Sequence, residues 1–124
     1  MHIRYDGVTV CVTGAGHGFG RAIARGFAAL GARVFACDLS ESELAETARV
    51  DGGITTAAFD LTAPGAAARW IGEAEAATGG PVGVLVCNAG ADTLTGDAAK
   101  WPFERKLDEL LAVDLKATMR LSRT

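Results

Sequence analysis

The run Val8-Thr9-Val10-Cys11-Val12, followed directly by Thr13-Gly14-Ala15-Gly16-His17-Gly18-Phe19-Gly20, decides how this chain folds. Apolar and β-branched residues in the first part predict a buried strand over about 8–13. Four glycines occupy the seven residues from 14 to 20. Glycine lets the backbone turn at positive φ and come close to a ligand. The segment beyond predicts a helix over roughly 18–30, with Ile23, Phe27 and Leu30 on one face and Arg21 and Arg25 on another. A strand, a glycine turn and a helix in that order form a phosphate-binding device. The free N–H groups and positive dipole end of the helix attract an anion.

Outward from this unit, apolar runs and helical segments alternate. Gly31 stops the first helix, and Arg33-Val34-Phe35-Ala36-Cys37 predicts a second strand ending at Asp38. Ser40-Glu41-Ser42-Glu43 has capping-box spacing and opens a second helix to about Arg49. Ile54 to Phe59 predicts the third strand, followed by Asp60-Leu61-Thr62. Pro64 suits the first turn of a third helix that ends near Gly79-Gly80-Pro81. Val82 to Cys87 is the fourth strand, and a polar loop leads to a last helix from Phe103 onward. This order predicts an α/β fold, a parallel sheet of about four strands with helices on both faces. Without repeats or a linker, residues 1–124 form one domain. No stop signal closes the last helix and no fifth strand follows, so the sheet is expected to be incomplete.

Composition narrows the partners. The chain has 49% hydrophobic and 22% charged residues, the balance of an ordinary globular domain. A net charge of −3 gives no electrostatic reason to expect nucleic acid or an anionic membrane. No apolar run reaches the roughly 18 residues of a membrane span. Met1 to Asp6 lack the apolar core of a secretory signal, so a cytoplasmic location is expected. Cys11, Cys37 and Cys87 form no C-x-x-C pair and read as small buried hydrophobes in a reducing compartment. No metal site is expected, since His2 and His17 offer no ligand spacing.

If the turn holds a pyrophosphate, the adjoining ribose lies near the end of the second strand. Asp38 stands there, 18 residues after Gly20, against about 20 for a ribose-binding acid. Its carboxylate can accept hydrogen bonds from both adenosine ribose hydroxyls and repels a 2′-phosphate, which favours NAD over NADP. The competing reading makes Asp38 an acid ahead of the second helix. Asp60 and Asn88 also follow apolar strands, at the carboxyl edge where open α/β sheets bind ligands. Asp60 reads too as a cap with Thr62, and Asn88-Ala89-Gly90 as a structural turn in which Gly90 permits close backbone approach. His17 either touches phosphate or is a solvated loop residue.

Together, Thr13-Gly14-x-x-x-Gly18-x-Gly20, Asp38, Asp60-Leu61-Thr62 and Asn88-Ala89-Gly90 resemble the short-chain dehydrogenase/reductase family in order and spacing. The resemblance implies a Rossmann-type doubly wound sheet and an NAD(P)-dependent oxidoreductase interconverting an alcohol and a ketone. The substrate types it implies are 3-oxoacyl compounds and sugars or polyols. It assigns the cofactor to Thr13, Gly14, Gly16, His17, Gly18, Phe19 and Gly20 in the turn, and to Asp38 and Leu39 at the ribose. Asp60 would contact the adenine, with Leu61 shaping its pocket, and Asn88-Ala89-Gly90 would approach the ribose beside the nicotinamide. Family helices like that at 103–124 pack between subunits, which implies a homodimer or tetramer.

The last helix carries the one catalytic candidate. At 100° per residue, Leu107, Leu110, Leu111, Val113, Ala117 and Leu121 form one apolar arc opposite Arg105, Glu109, Lys116, Arg120 and Arg123. Asp114 falls near the centre of that arc, where a carboxylate needs partners or a proton. Val113-Asp114-Leu115 aligns with the family's Val-Asn-Leu segment, whose asparagine holds a water on the proton relay through its main-chain carbonyl. Asp114 is thus either a relay position or a buried polar group satisfied by helix or strand ends. Cys87 stands where the family usually has another asparagine. The family's later serine and its Tyr-x-x-x-Lys have no counterpart, because Tyr5 is the only tyrosine and precedes the cofactor motif. Ser122 precedes the place where the serine-bearing strand would begin.

The leading expectation is therefore the cofactor-binding half of such an enzyme, truncated before its catalytic half. Alone it binds a dinucleotide, mostly through the AMP part, without turnover. The alternative is a non-catalytic nucleotide-binding or scaffold module, completed by another chain along the unpaired edge of the fourth strand. A methyltransferase of similar topology fits worse, since the glycine spacing and Asn88-Ala89-Gly90 have no role there.

Overall fold

The computed structural model describes residues 3–50, 52–92 and 94–124. The expectation attached to His2 falls outside them. Strands β1 (Thr9–Thr13), β2 (Arg33–Asp38), β3 (Ile54–Ala58) and β4 (Val82–Val86) pair in parallel in the order β3-β2-β1-β4. Helices α1 (Gly18–Ala29), α2 (Glu41–Thr47), α3 (Ala66–Thr78), α4 (Phe103–Leu110) and α5 (Ala117–Arg123) surround them. The chain winds outward from β1 to β3, then crosses to place β4 on the other side of β1. That reversal makes the carboxyl ends of β1 and β4 a topological switch point, where an open α/β sheet leaves a crevice.

Alternation along β1 divides the core between two layers. Val10 and Val12 pack with Val34, Ala36 and Leu44 beneath α1 and α2, where Ala24 and Ala28 let α1 come close. Cys11 faces the other way, into a cluster with Phe35, Trp70, Ile71 and Leu121. Every residue of β1 is buried, as a central parallel strand covered on both faces requires. Trp70 is fully buried and stacks on Phe35 with centroids 5.8 Å apart. No helix among the described residues is long and apolar enough to cross a membrane.

The four strands and α1 lie where the sequence places them. Elsewhere local rules were overridden. Two successive turns, closed by Ala63 N–H to Asp60 O and Ala66 N–H to Ala63 O, precede α3. Pro64 therefore lies ahead of the helix, which begins after Gly65 at φ +74. Only half of the capping box forms. Ser40 Oγ accepts the Glu43 amide at 3.2 Å, but the Glu43 carboxylate turns away to His17. Helix α2 also ends at Thr47, short of Arg49.

The last helix differs most. A π-helical segment, Leu111–Lys116, joins α4 to α5. A π turn advances by roughly 80° per residue where an α-helix advances by about 100°. Over the six residues of the segment, the faces before and after part by about a third of a turn. The single apolar arc is split accordingly. Leu107 and Leu111 are 36% and 37% exposed, while Ala117 and Leu121 are buried. Asp114, expected among apolar neighbours at the centre of the arc, is exposed. Phe103, Leu107, Leu111, Leu115 and Met119 instead form an exposed apolar row at four-residue steps.

Candidate functional site

The site begins at the end of β1. The buried Thr13 side chain accepts hydrogen bonds from the Asn88 and Ala89 amides, each at 3.0 Å. One hydroxyl thus ties the glycine turn to the segment leaving β4. Asn88 Nδ2 adds a bond to Gly14 O at 3.3 Å. At Gly14, φ is +63 and a Cβ would lie 2.8 Å from Ala89 Cα, so only glycine fits. A Cβ on Gly20 would overlap Gly14 O, which lets α1 fold tightly onto the turn. His17 is the N-cap of α1 without a side-chain cap, and the first helical turn holds no acid. Its leading amides have no intrahelical acceptor, and Gly18 and the 85%-exposed Phe19 line the cleft there.

At the end of β2, Asp38 looks back toward the turn. Its Oδ2 accepts the Gly16 amide at 2.9 Å and its Oδ1 accepts the Leu39 amide at 2.7 Å. Ser40, two residues further on, caps α2. His17 Nδ1 lies 3.1 Å from Glu43 Oε2 and 3.9 Å from Asp38 Oδ2. An imidazole and two carboxylates from three elements thus gather within 4.8 Å, a metal-ligand juxtaposition invisible in the sequence spacing. The exposed His17 and Glu43 already satisfy each other there with a hydrogen bond.

Asp60 Oδ1 accepts from the Thr62 amide at 2.9 Å and the Thr62 hydroxyl at 2.5 Å. The pairing with Thr62 therefore exists, but it closes a turn four residues before α3 rather than capping the helix. Leu61 is buried beneath it. A Cβ on Gly90 would make only ordinary contact with Asp114 Oδ1, at 3.5 Å, so the protein alone does not demand glycine there. Asp114 Oδ1 accepts the Ala91 amide at 2.9 Å and steadies the segment after β4.

These pieces enclose a cleft of about 560 Å³. It runs from Gly14 past Asp38 and Leu39 to Asp60 and Leu61, and along Asn88, Ala89 and Gly90 to the last helix. Thr13, Gly16 and Gly20 act from behind its wall. The sequence reading missed Asp92, Trp101 and Glu109, which line the far end. Nothing local marks Trp101, whose ring carries the Arg105 guanidinium 3.9 Å from its centroid. Glu109, expected opposite the apolar arc, shares a cleft-facing row with Val113 and Ala117. Hydrogen bonds from the Thr95 hydroxyl, then from the Leu94 amide, hold the Asp92 carboxyl below the usual carboxylate range.

Cys11 and Cys37 are buried as expected. Burial, with Glu75 adding, pushes the Cys11 thiol up to about 12; burial, then Asp38, raises Cys37 further. Cys87, just beyond the edge strand β4, is exposed instead. Tyr5 packs edge-on against Phe27 at 5.1 Å, away from the cleft lining. The Ser122 hydroxyl donates to Thr118 O at 2.8 Å.

Residues 8–124 match the family model described as short chain dehydrogenase. The chain is 38% identical over 102 residues to galactitol 2-dehydrogenase (L-tagatose-forming) of Cereibacter sphaeroides, covering 79% of this chain and 40% of that protein. It is 34% identical over 127 residues to L-xylulose reductase of Bos taurus, covering 98% and 47%. A metagenomic short-chain oxidoreductase solved in complex with NADP superposes with a TM-score of 0.82 at 35% identity, over 95% of this chain and 54% of that one. The chain spans about half the length of the curated relatives it matches.

Proposed function

This chain belongs to the short-chain dehydrogenase family, and from that membership we propose that it is the dinucleotide-binding half of an oxidoreductase interconverting an alcohol and a ketone. The observation that carries the reading is the glycine turn, pinned by Thr13 against the segment after β4, with the uncapped start of α1 beside it in the cleft. The residues fit the cofactor. Free amides at a helix start favour a pyrophosphate, and a Cβ on Gly18 would meet open space, which leaves room for one. Asp38 and Leu39 would hold the adenosine ribose, Asp60 and Leu61 the adenine, and Asn88-Ala89-Gly90 the second ribose. When bound, the nicotinamide donates or accepts the hydride.

The Asp38 carboxylate, with Glu43 close by, favours NAD over NADP, since a 2′-phosphate would meet negative charge. Similarity to galactitol 2-dehydrogenase and L-xylulose reductase supports a polyol or ketose substrate, and similarity to a (3R)-3-hydroxyacyl-CoA dehydrogenase supports a 3-oxoacyl compound as the second reading. Asp114 sits at the relay position, within a π-helical turn of the kind frequent at functional sites. No Tyr-x-x-x-Lys occurs in the sequence, so the chain alone binds without turnover. Three free cysteines suit the cytoplasm. Calorimetry with NADH and NADPH tests the reading, with NADH expected to bind more tightly. A folded chain that binds neither overturns it, and ketose reduction by this chain alone overturns the division of labour.

The outer edge of β4 and the exposed row from Phe103 to Met119 favour assembly, as a homo-oligomer or with a completing chain. Native mass spectrometry that finds only monomer counts against both.

A further inference from the structure

Arg21 and Thr47 line no part of the cleft, yet both bond to the inner side of the glycine turn. The fully buried Thr47 hydroxyl donates to Ala15 O at 2.7 Å. Arg21 Nε donates to Thr47 Oγ1 at 3.0 Å, while its Nη2 donates to Glu43 O at 3.1 Å and to Gly16 O. Arg25 adds bonds to Thr47 O at 3.2 Å and Glu46 O at 2.6 Å. The arginines of α1 thus donate to carbonyls of α2, among them that of its last residue, Thr47.

In a planar trans peptide the C=O and the following N–H point in opposite directions. Fixing Gly16 O inward therefore turns the His17 amide outward, and His17 lines the cleft. Fixing Ala15 O likewise sets the Gly16 amide, which meets Asp38 Oδ2. We propose that Arg21, backed by Thr47, is a positioning residue that aims the His17 amide of the glycine turn at the cofactor's pyrophosphate. The proposal rests on the dinucleotide reading above. Arg21 acts through the turn and does not touch the anion.

The test measures ADP and adenosine binding to the full chain and to Thr47→Val, Thr47→Ser, Arg21→Gln and Arg21→Lys, each checked for folding by circular dichroism. Thr47→Val and Arg21→Gln should weaken ADP about tenfold and adenosine less than about threefold. Thr47→Ser should restore ADP binding. Arg21→Lys should not, because an ammonium cannot span three separated acceptors. The His17 amide resonance should shift on adding ADP to the wild type and shift less in Thr47→Val. Failure of the wild type to bind ADP or NADH removes the dinucleotide reading itself. With wild-type binding intact, unchanged ADP affinity in either weakened variant, equal losses for ADP and adenosine, or full rescue by lysine overturns the positioning role. If Thr47→Val does not fold, the half-buried Arg21→Gln decides alone.

Discussion

Replacing Thr13 by valine separates shape from hydrogen bonding at the junction of β1 and β4. The Thr13 hydroxyl accepts two amides, from Asn88 and Ala89, at 3.0 Å each. Valine fills the same space and strands both donors. A net hydrogen bond contributes about 1 kcal/mol, and a fully buried unpaired donor costs about 1–3 kcal/mol. Both amides are only partly buried, so water recovers some of the loss and the lower end applies, about 2 kcal/mol. Scaling the unfolding entropy to 124 residues, this lowers Tm by about 8 °C. Serine keeps the oxygen and removes one buried methyl, about 1 kcal/mol or half that shift. The expected order of stability is threonine, serine, valine, the reverse of hydrophobicity for the two replacements. Thermal unfolding followed by circular dichroism reads it directly. A valine variant melting at or above the serine variant would refute the tie.

Asp38→Ala should raise NADPH affinity relative to NADH about tenfold, because a carboxylate no longer opposes the 2′-phosphate; an unchanged ratio in calorimetry would count against Asp38 as the selector. Iodoacetamide at pH 8 should label Cys87 and spare Cys11 and Cys37 until the chain unfolds, so early labelling of either buried thiol by peptide mass spectrometry contradicts the packing. The turn at Asp92 should survive mild acid. With its folded pKa lowered, its contribution is present above the unfolded value near about 3.9 and is lost as pH falls through the lower folded value. Loss of amide-exchange protection at Leu94 and Thr95, relative to their intrinsic rates, while the pH is still above the ordinary carboxylate range would show otherwise. Asp114→Leu should destabilise by about 1 kcal/mol through loss of the Ala91 bond, with Asp114→Asn close to neutral; stabilisation by leucine in urea unfolding would revive the buried-arc reading.

Most of the fold is legible because its signals are local. β1 and β2 announce themselves by apolar runs, α1 by its period, and the end of α3 by Gly79, which adopts a left-handed C-cap at φ +78. Errors arise where two local rules compete. Pro64 suits a first helical turn, but Gly65 at φ +74 begins the helix after it. Glu43 has the spacing to complete a capping box, yet a histidine from another element takes its carboxylate. No rule written on one element can register a partner supplied by another.

The same distinction explains which site residues the sequence discloses. In a parallel sheet the strands end on one edge, so Thr13, Asp38, Asp60 and Asn88 converge simply by terminating their strands or following them. Glu109 and Asp114 fail that logic because their directions depend on accumulated helical phase, and six π-helical residues reset it. Arg21 and Thr47 fail it for another reason. Amphipathic analysis sorts residues into apolar and polar faces and then treats the polar face as solvated. Here that face of α1 meets the carbonyl end of α2, and its arginines find acceptors there. Thr47, polar and fully buried at a helix end, breaks the hydrophobic pattern for the reason that makes it useful: a buried hydroxyl must have partners, and one of its partners is the turn that shapes the cleft.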